Sequence, residues 1–178
     1  MNQTFYKITA SSDIAEYLRL GAGLEAIQPA CAGSELQFLD HKPIHLEIDG
    51  SSGPVCQDFI YERGVPLVSE RMKEFFDNWG IDYLFYKRVL LERPDTGIAE
   101  PYWLALPPRI NCLDLESMEV DDLLGTAGHL VICARQIGRY DIFKLAGVTN
   151  LDIIVTEKLA AALREEDFVG LYIFQINI

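Results

Sequence analysis

The sequence predicts an α+β fold, with mainly antiparallel sheet and two or three packed helices. Many short apolar segments rich in aromatic and branched residues are separated by turn residues, which is typical of strands. Two stretches instead carry apolar residues at helical spacing, one after Ser69 and one after Thr156. Strands and helices do not alternate regularly, which disfavours a doubly wound parallel sheet. A chain of 178 residues suits one domain, or one domain with lobes at 1–64 and 65–178.

The first sixty residues contain few regular elements in this interpretation. Phe5–Thr9 alternates apolar and polar residues and predicts an opening strand. Ser12-Asp13 predicts the cap of a short helix that carries Tyr17 and Leu18 on its apolar face. The stretch 21–53 is rich in Gly, Pro and Ser, and predicts loops around one strand at Ile44–Ile48.

Two segments resemble each other position by position in residue type. They are Leu67-Val68-Ser69-Glu70-Arg71-Met72 and Ile154-Val155-Thr156-Glu157-Lys158-Leu159. Each reads as the end of a strand, a hydroxyl cap and a helix with Glu in its first turn. A glycine then follows at Gly80 or Gly170, and a further strand comes after it. This similarity between the two segments favours an internal duplication slightly over two independent uses of a common helix start.

The second half of the chain predicts further strands. The apolar and aromatic content of the segments and the turn residues between them support each one. The segments are Ile81–Leu91, Tyr102–Leu106, Ile110–Leu115, His129–Ala134, Tyr140–Leu145, Asp152–Val155 and Leu171–Ile178.

Charge narrows the classes of partner. The formal net charge is −12, which disfavours binding to nucleic acid or to an anionic membrane and favours a basic protein partner. Plain solubility also explains an acidic protein. No apolar run reaches the roughly 20 residues that span a bilayer. The first residues lack the basic and apolar regions of a signal peptide, so we expect a cytoplasmic protein.

Cysteine and histidine residues offer two weak candidate sites. Cys31 and Cys56 could be combined with His41 and His45 as metal ligands, but their spacing is loose. Alternatively, Cys112 or Cys133 could act as a thiol nucleophile with His129 as the base, although both cysteines lie in apolar runs. No phosphate loop or dinucleotide fingerprint is present. The sequence therefore predicts a protein that is not an enzyme and that needs no cofactor and no metal.

An acidic segment is the candidate surface for binding a protein. It lacks the glycine and the regular ligand spacing of a calcium loop, so a solvated acidic face that docks a basic protein is the favoured interpretation. Its members are Asp114, Glu116, Glu119, Asp121 and Asp122.

A series of short blocks, taken in order, resembles the immunity proteins of bacterial polymorphic-toxin systems, in particular immunity family eleven. The resemblance covers roughly Val65 to the end of the sequence. Lys144 stands where arginine is common in that family, and Thr156 where serine is common. The blocks are Tyr102-Trp103-Leu104, Cys112-Leu113-Asp114-Leu115-Glu116-Ser117, Ile142-Phe143-Lys144-Leu145, Ile154-Val155-Thr156 and Gly170-Leu171-Tyr172.

The resemblance implies a protein that binds and neutralises a cognate secreted toxin and so protects its producer and kin. The charge of the chain suggests a basic toxin, for example a nuclease. Two other classes stay open: an adaptor or chaperone that carries an effector to a secretion machine, and a small cysteine-dependent enzyme. The resembling blocks are interpreted as scaffold, so the specificity is expected elsewhere, on acidic and aromatic surface.

Overall fold

The computed structural model describes residues 4–13, 15–33, 39, 42–114, 131–147 and 152–176. Within these ranges the chain forms ten strands and four helices. In chain order they are β1 (Phe5–Ala10), α1 (Leu24–Gly33), β2 (Ile44–Glu47), β3 (Phe59–Glu62), β4 (Val65–Val68), α2 (Glu70–Trp79), β5 (Phe85–Glu92), β6 (Ala99–Leu106), β7 (Arg109–Ile110), α3 (Ala134–Ile137), β8 (Ile142–Leu145), β9 (Ile153–Thr156), α4 (Glu157–Glu165) and β10 (Leu171–Gln175).

The strands form two five-stranded sheets, in the orders β10-β1-β9-β8-β7 and β2-β5-β6-β4-β3. Most neighbouring strands are antiparallel, whereas β2 with β5 and β7 with β8 are parallel. The predicted α+β class with mainly antiparallel sheet is therefore confirmed. None of the described helices is long and apolar enough to cross a membrane.

The chain divides into two compact units. Unit 1 comprises residues 1–8, 107–166 and 173–178, and unit 2 comprises residues 9–106 and 167–172. The arrangements suggested by the sequence, a single domain or lobes at 1–64 and 65–178, stay predictions.

Unit 2 has a core between its sheet and α1. Alternate side chains of β5 and β6, such as Val89 and Leu104, are fully buried and pack in one cluster with Leu24 and Ile27 of α1. This alternation is what a sheet face that lies against a helix requires. The Tyr102 hydroxyl, buried among them, donates to the Gln57 carbonyl oxygen at 2.8 Å.

Helix α2 begins and ends as the sequence predicts. The Ser69 hydroxyl accepts the Met72 amide at 3.2 Å, and Gly80 ends the helix with φ +85° in the left-handed region that favours glycine. Met72 and Phe76 form its buried stripe, and the helix packs on β4 and β6.

Two interpretations of the first half of the chain are wrong. The predicted helix after Ser12-Asp13 is instead a turn, because the Asp13 carboxylate accepts the Ala15 amide and Tyr17 then bridges Val55 in extended conformation. The stretch 21–53, predicted as loops around one strand, also contains α1, whose apolar side chains Leu24, Ile27 and Cys31 are buried in the core of unit 2 despite Pro29 inside the helix. Core packing outweighs the poor local helix signal there.

Unit 1 has its own core on one face of its sheet. Phe5 of β1 meets Phe143 of β8 edge to face, with ring centroids 6.2 Å apart. Ile154 of β9 and Cys112 pack in the same cluster. Helix α4 follows β9 directly and buries its stripe at Leu159, Ala160 and Leu163.

The two units share one local construction. An Asp precedes a strand, a hairpin leads to its antiparallel partner, and a hydroxyl residue at the end of that partner caps a helix. In unit 2 the Ser69 hydroxyl donates to Asp58 at 2.6 Å, and in unit 1 the Thr156 hydroxyl donates to Asp141 at 2.8 Å. The amides of Ser69 and Thr156 also donate to the carbonyl oxygens of these aspartates, both at 2.9 Å.

The order of strands in the two sheets is also similar. The order β3-β4-β6-β5 in one sheet matches β8-β9-β1-β10 in the other, and the strand after the helix (β5 or β10) lies beyond one inserted strand in each case. The inserted strand is antiparallel to the hairpin in both sheets. The inserted strand of the first sheet is β6, which follows β5 along the chain. The inserted strand of the second sheet is β1, the first strand of the chain. The agreement supports an internal duplication in which β1 occupies the position of β6.

Candidate partner-binding surface

The acidic segment predicted from the sequence is described only at its first residue. Asp114 is half-buried, and its amide donates to the Val131 carbonyl oxygen at 2.9 Å beside the bridge between Leu113 and Ile132. The other predicted residues, Glu116, Glu119, Asp121 and Asp122, lie outside the described residues. Their role in binding a toxin stays a prediction.

The candidate thiol site has the wrong electrostatics for a nucleophile. Burial raises the pKa of the Cys112 thiol to about 11, with a smaller contribution from Cys133, so Cys112 stays protonated at neutral pH. A reactive cysteine needs the opposite shift. His129, its proposed base, lies outside the described residues.

The candidate metal ligands are not brought together where the structure describes them. Cys31 is buried in the core of unit 2, whereas Cys56 is exposed. His45 is exposed and its Nδ1 lies 2.6 Å from the Glu92 carboxylate. His41 lies outside the described ranges. Among the described residues, no group of three or more His, Cys, Asp or Glu side chains is placed to hold a metal ion.

A surface of unit 2 combines half-buried Tyr17 and exposed Tyr172 with carboxylates, and we call it the Tyr17 surface. It consists of Asp13, Glu16, Tyr17 and Tyr172, on two segments that meet where the Ser11 amide donates to the Gly170 carbonyl oxygen at 3.0 Å. Both carboxylate residues are exposed, and 46% of Tyr172 is exposed. Burial raises the pKa of Tyr17, and Glu16, Tyr172 and Asp13 raise it further.

The residues that follow Tyr17 extend this surface into a polar concavity. Half-buried Tyr17 and Arg19 alternate with buried Leu18 and Leu20, so Tyr17 and Arg19 lie on the outward side of the segment. Arg19 contributes to a concavity of about 360 Å³. Its lining residues are Arg19, Leu20, Asp49, Ser51, Tyr61, Glu62 and Arg63.

Hydrogen bonds inside the concavity fix its charged groups. The Arg19 Nε donates to Glu62 Oε1 at 2.6 Å, so the Arg19 guanidinium is paired with a carboxylate of the same chain. The hydroxyl and amide of Ser51 donate to Asp49 and lower the pKa of that carboxyl. Asp49 therefore keeps its negative charge well below neutral pH.

A second aromatic surface lies where Glu70 of α2 meets Arg88 of β5 and Trp103 of β6, but its charges are engaged within the chain. The Trp103 indole donates to Glu70 at 2.8 Å, and Arg88 donates to the same carboxylate oxygen at 3.1 Å. The Arg88 guanidinium also lies 4.9 Å from the centre of the Trp103 ring, and Lys73 Nζ lies 5.2 Å from it. This network serves packing better than recognition, because its cations and carboxylates already pair with each other.

Charge is distributed unevenly along the sequence. The residues of unit 2 include seventeen Asp and Glu against eight Lys and Arg, a net −9, whereas those of unit 1 include ten against seven, a net −3. Together these account for the −12 of the chain. Unit 2, which carries the Tyr17 surface, is therefore the unit with the greater attraction for a basic partner.

Sequence reasoning missed the Tyr17 surface because its parts lie far apart in the chain. Residues 13–17 were interpreted as a helix, and Tyr172 as one residue of a closing strand. Strand alternation could have indicated that Tyr172 and Phe174 share one exposed face, but nothing local relates Tyr172 to Tyr17.

Comparison with known proteins gives one family. No curated protein matches the chain in sequence. The model of the immunity protein family (Imm11) matches residues 9–175, which cover nearly the whole sequence and every described element from α1 to β10. The resemblance found in the ordered blocks is thus confirmed, and the chain belongs to the immunity protein family Imm11.

Proposed function

We propose that this chain is a toxin immunity protein that binds a cognate bacterial toxin and neutralises it without chemistry of its own. The family match over residues 9–175 is the observation that carries the proposal. Tight inhibition of this kind needs a preformed surface with aromatic anchors and complementary charge. Unit 2 offers such a surface, with Tyr17 and Tyr172 beside two carboxylates.

The toxin is proposed to be a basic protein that acts in the cytoplasm, for example a nuclease. A net charge of −12 speeds the encounter with a positively charged partner and makes it sensitive to salt. A nuclease carries positive charge where it holds nucleic acid, and an acidic inhibitor can cover that surface. The immunity protein is accordingly proposed to act in the cytoplasm of the producing cell.

Co-expression tests the proposal. The product of the gene immediately upstream is taken as the candidate toxin, and its C-terminal domain is induced in a susceptible host, alone or together with this chain. We expect growth arrest with the toxin alone and recovery with both, because a stable complex removes free toxin. A toxin with an unrelated immunity protein is the control.

A purified complex separates immunity from an adaptor role. The toxin domain is assayed for its activity with increasing amounts of this chain, and the affinity is measured at physiological salt. An immunity protein abolishes activity near equimolar ratio and binds much more tightly than micromolar. Binding that leaves the toxin fully active would favour the adaptor, and micromolar or weaker binding would contradict immunity.

A further inference from the structure

We propose that the Tyr17 surface is the docking site for a lysine- or arginine-bearing segment of the cognate toxin. This inference rests on the proposed function and names the surface through which it operates. The bond between the Ser11 amide and the Gly170 carbonyl oxygen brings the segment of Asp13, Glu16 and Tyr17 to the segment of Tyr172. The occupant is a basic protein segment because this surface combines two phenol rings with two exposed carboxylates. Aromatic rings and carboxylates together recognise ammonium and guanidinium groups through ring contacts and charge-assisted hydrogen bonds.

Exposure makes the surface available to a partner. Tyr172 is 46% exposed and the neighbouring Val169 is 40% exposed, so this part of unit 2 presents apolar area as well as charge. Asp13 and Glu16 are exposed too. Burying a tyrosine against a partner gives a large gain in contact area at a small cost in side-chain entropy.

Hydrogen bonds hold the segment that carries Tyr17 in place. The Gln57 side chain accepts the Leu18 amide and donates to the Leu18 carbonyl oxygen, both at 3.0 Å. Gly53 packs directly under the same segment, where a Cβ would lie 2.2 Å from the Glu16 carbonyl carbon. A side chain at position 53 would therefore displace the strand that presents Glu16 and Tyr17.

The segment before Tyr172 is fixed by a buried carboxylate. Asp58 Oδ2 accepts the Val169 amide at 2.9 Å, and the Asp58 amide donates to the Val169 carbonyl oxygen at 2.8 Å. Asp58 is thus a positioning residue for this part of the surface. Because both segments are held before the partner arrives, little ordering entropy opposes docking.

Charge disfavours other occupants. The net −9 of unit 2 repels nucleic acid and anionic lipid. A second copy of the chain would bring the same carboxylates against one another, which is unfavourable. A basic protein segment instead gains from every one of these charges.

The test uses the complex of the full chain with its toxin domain and two matched pairs of variants. Glu16→Lys reverses one charge on the surface, and Glu74→Lys makes the same change on the exposed side of α2 in the same unit. Tyr172→Ala removes an exposed ring, and Ile98→Ala removes an exposed apolar side chain elsewhere in unit 2. Circular dichroism and thermal unfolding verify that each variant folds.

We expect Glu16→Lys and Tyr172→Ala to raise the Kd for the toxin at least tenfold, and the two controls to change it less than threefold. Glu16→Lys should also flatten the dependence of the association rate on salt more than Glu74→Lys does. Folded surface variants that bind like the wild type would overturn this docking site while leaving immunity intact. A wild-type chain that does not bind the toxin would instead overturn the proposed function.

Discussion

The helix starts of the two units share one local construction, and in unit 2 its aspartate also binds a segment that is distant in the sequence. Asp58 accepts the Ser69 hydroxyl, the Arg71 guanidinium at 2.9 Å and the Val169 amide at 2.9 Å. Asp141 accepts the Thr156 hydroxyl at the equivalent position. In both units the bond between the aspartate and the hydroxyl lies at the residue that caps the helix. The extra bonds of Asp58 bind a distant segment, residues 167–172, into unit 2, so the same carboxylate has acquired a tertiary role.

The largest expected difference comes from removing the two aspartates. Asp58→Ala removes a buried carboxylate and leaves the partly buried Ser69 hydroxyl and Val169 amide without their acceptor, so we expect a loss of about 2–4 kcal/mol in the free energy of unfolding. Asp141→Ala removes the acceptor of the Thr156 hydroxyl, so we expect a loss of at least about 1 kcal/mol. Urea unfolding followed by circular dichroism measures both, with Asp58→Asn as the size-matched control. An Asp58→Ala loss of only about 1 kcal/mol, the range for a single cap, would mean that the bonds of Asp58 to Arg71 and Val169 contribute nothing.

The glycines that follow the two helices differ in surroundings. Gly80 has open space where a Cβ would be, whereas a Cβ at Gly170 would lie 2.6 Å from the Cβ of Gln57. Both have positive φ, +85° and +79°. We expect Gly80→Ala to cost about 1 kcal/mol through backbone strain alone. Gly170→Ala should cost about 2–3 kcal/mol because overlap with Gln57 adds to the strain.

Thermal unfolding checks the glycine pair, since the change in midpoint follows the change in stability. Gly50→Ala is a control in which the substituted glycine has open space and no positive φ. If Gly80→Ala were as costly as Gly170→Ala, the close approach to Gln57 would be without consequence.

Exchange of the caps tests how far the two helix starts are equivalent. Ser69→Ala and Thr156→Ala each remove the hydroxyl that accepts a helix amide, at 3.2 Å and 3.4 Å, and should each cost about 1–2 kcal/mol. Ser69→Thr and Thr156→Ser keep the hydroxyl and should change stability by less than about 0.5 kcal/mol. Chemical denaturation of all four variants provides the measurement. A costly exchange at either position would weaken the case for duplication.

The smallest effect is expected at alkaline pH and concerns the core of unit 1. Burial raises the pKa of Cys112 from 9.0 to about 11, so the folded chain holds this proton more tightly than the unfolded chain does. Its contribution to stability is complete below pH 9 and is lost as pH rises towards 11. Cys112→Ala should therefore reduce the alkaline fall in the urea midpoint.

Cys56→Ala is the control for that measurement, because this thiol is exposed. Buried tyrosines such as Tyr102 also lose stability at high pH, since burial raises its pKa as well. For that reason the comparison is between the slopes of the urea midpoint against pH for wild type and variant, and not between their absolute stabilities. Parallel slopes for wild type and Cys112→Ala would contradict a buried, protonated thiol.

Elements with complete local signals were predictable from the sequence. Helix α2 has its cap at Ser69, a stripe at helical spacing and a left-handed stop at Gly80, and all three agree. The capping hydroxyl of α4 at Thr156 was equally clear, although α4 ends before a left-handed Asp167 rather than at a glycine. Asp can adopt this conformation, which explains why no glycine signal marks the end.

Elements that depend on tertiary contacts were not predictable. The hairpin between β3 and β4 turns at Arg63-Gly64 with positive φ at both residues, and Arg at that position gives no typical turn signal. Helix α1 depends on burial against the sheet of unit 2. The Tyr17 surface needs the segment of Tyr17 beside the segment of Tyr172, which the bonds of Ser11, Gln57 and Asp58 bring about.

The position of β1 has a consequence for synthesis on the ribosome. Phe5 pairs with Thr156, and β1 is the strand between β9 and β10. When β1 emerges, neither neighbour has been translated, and the segment must wait with its apolar side chains uncovered until almost all of the chain is made. In the other sheet, β2 to β6 emerge in succession and can pair as they appear. Chaperones that hold nascent chains would therefore be expected to engage the first strand for longer than any other.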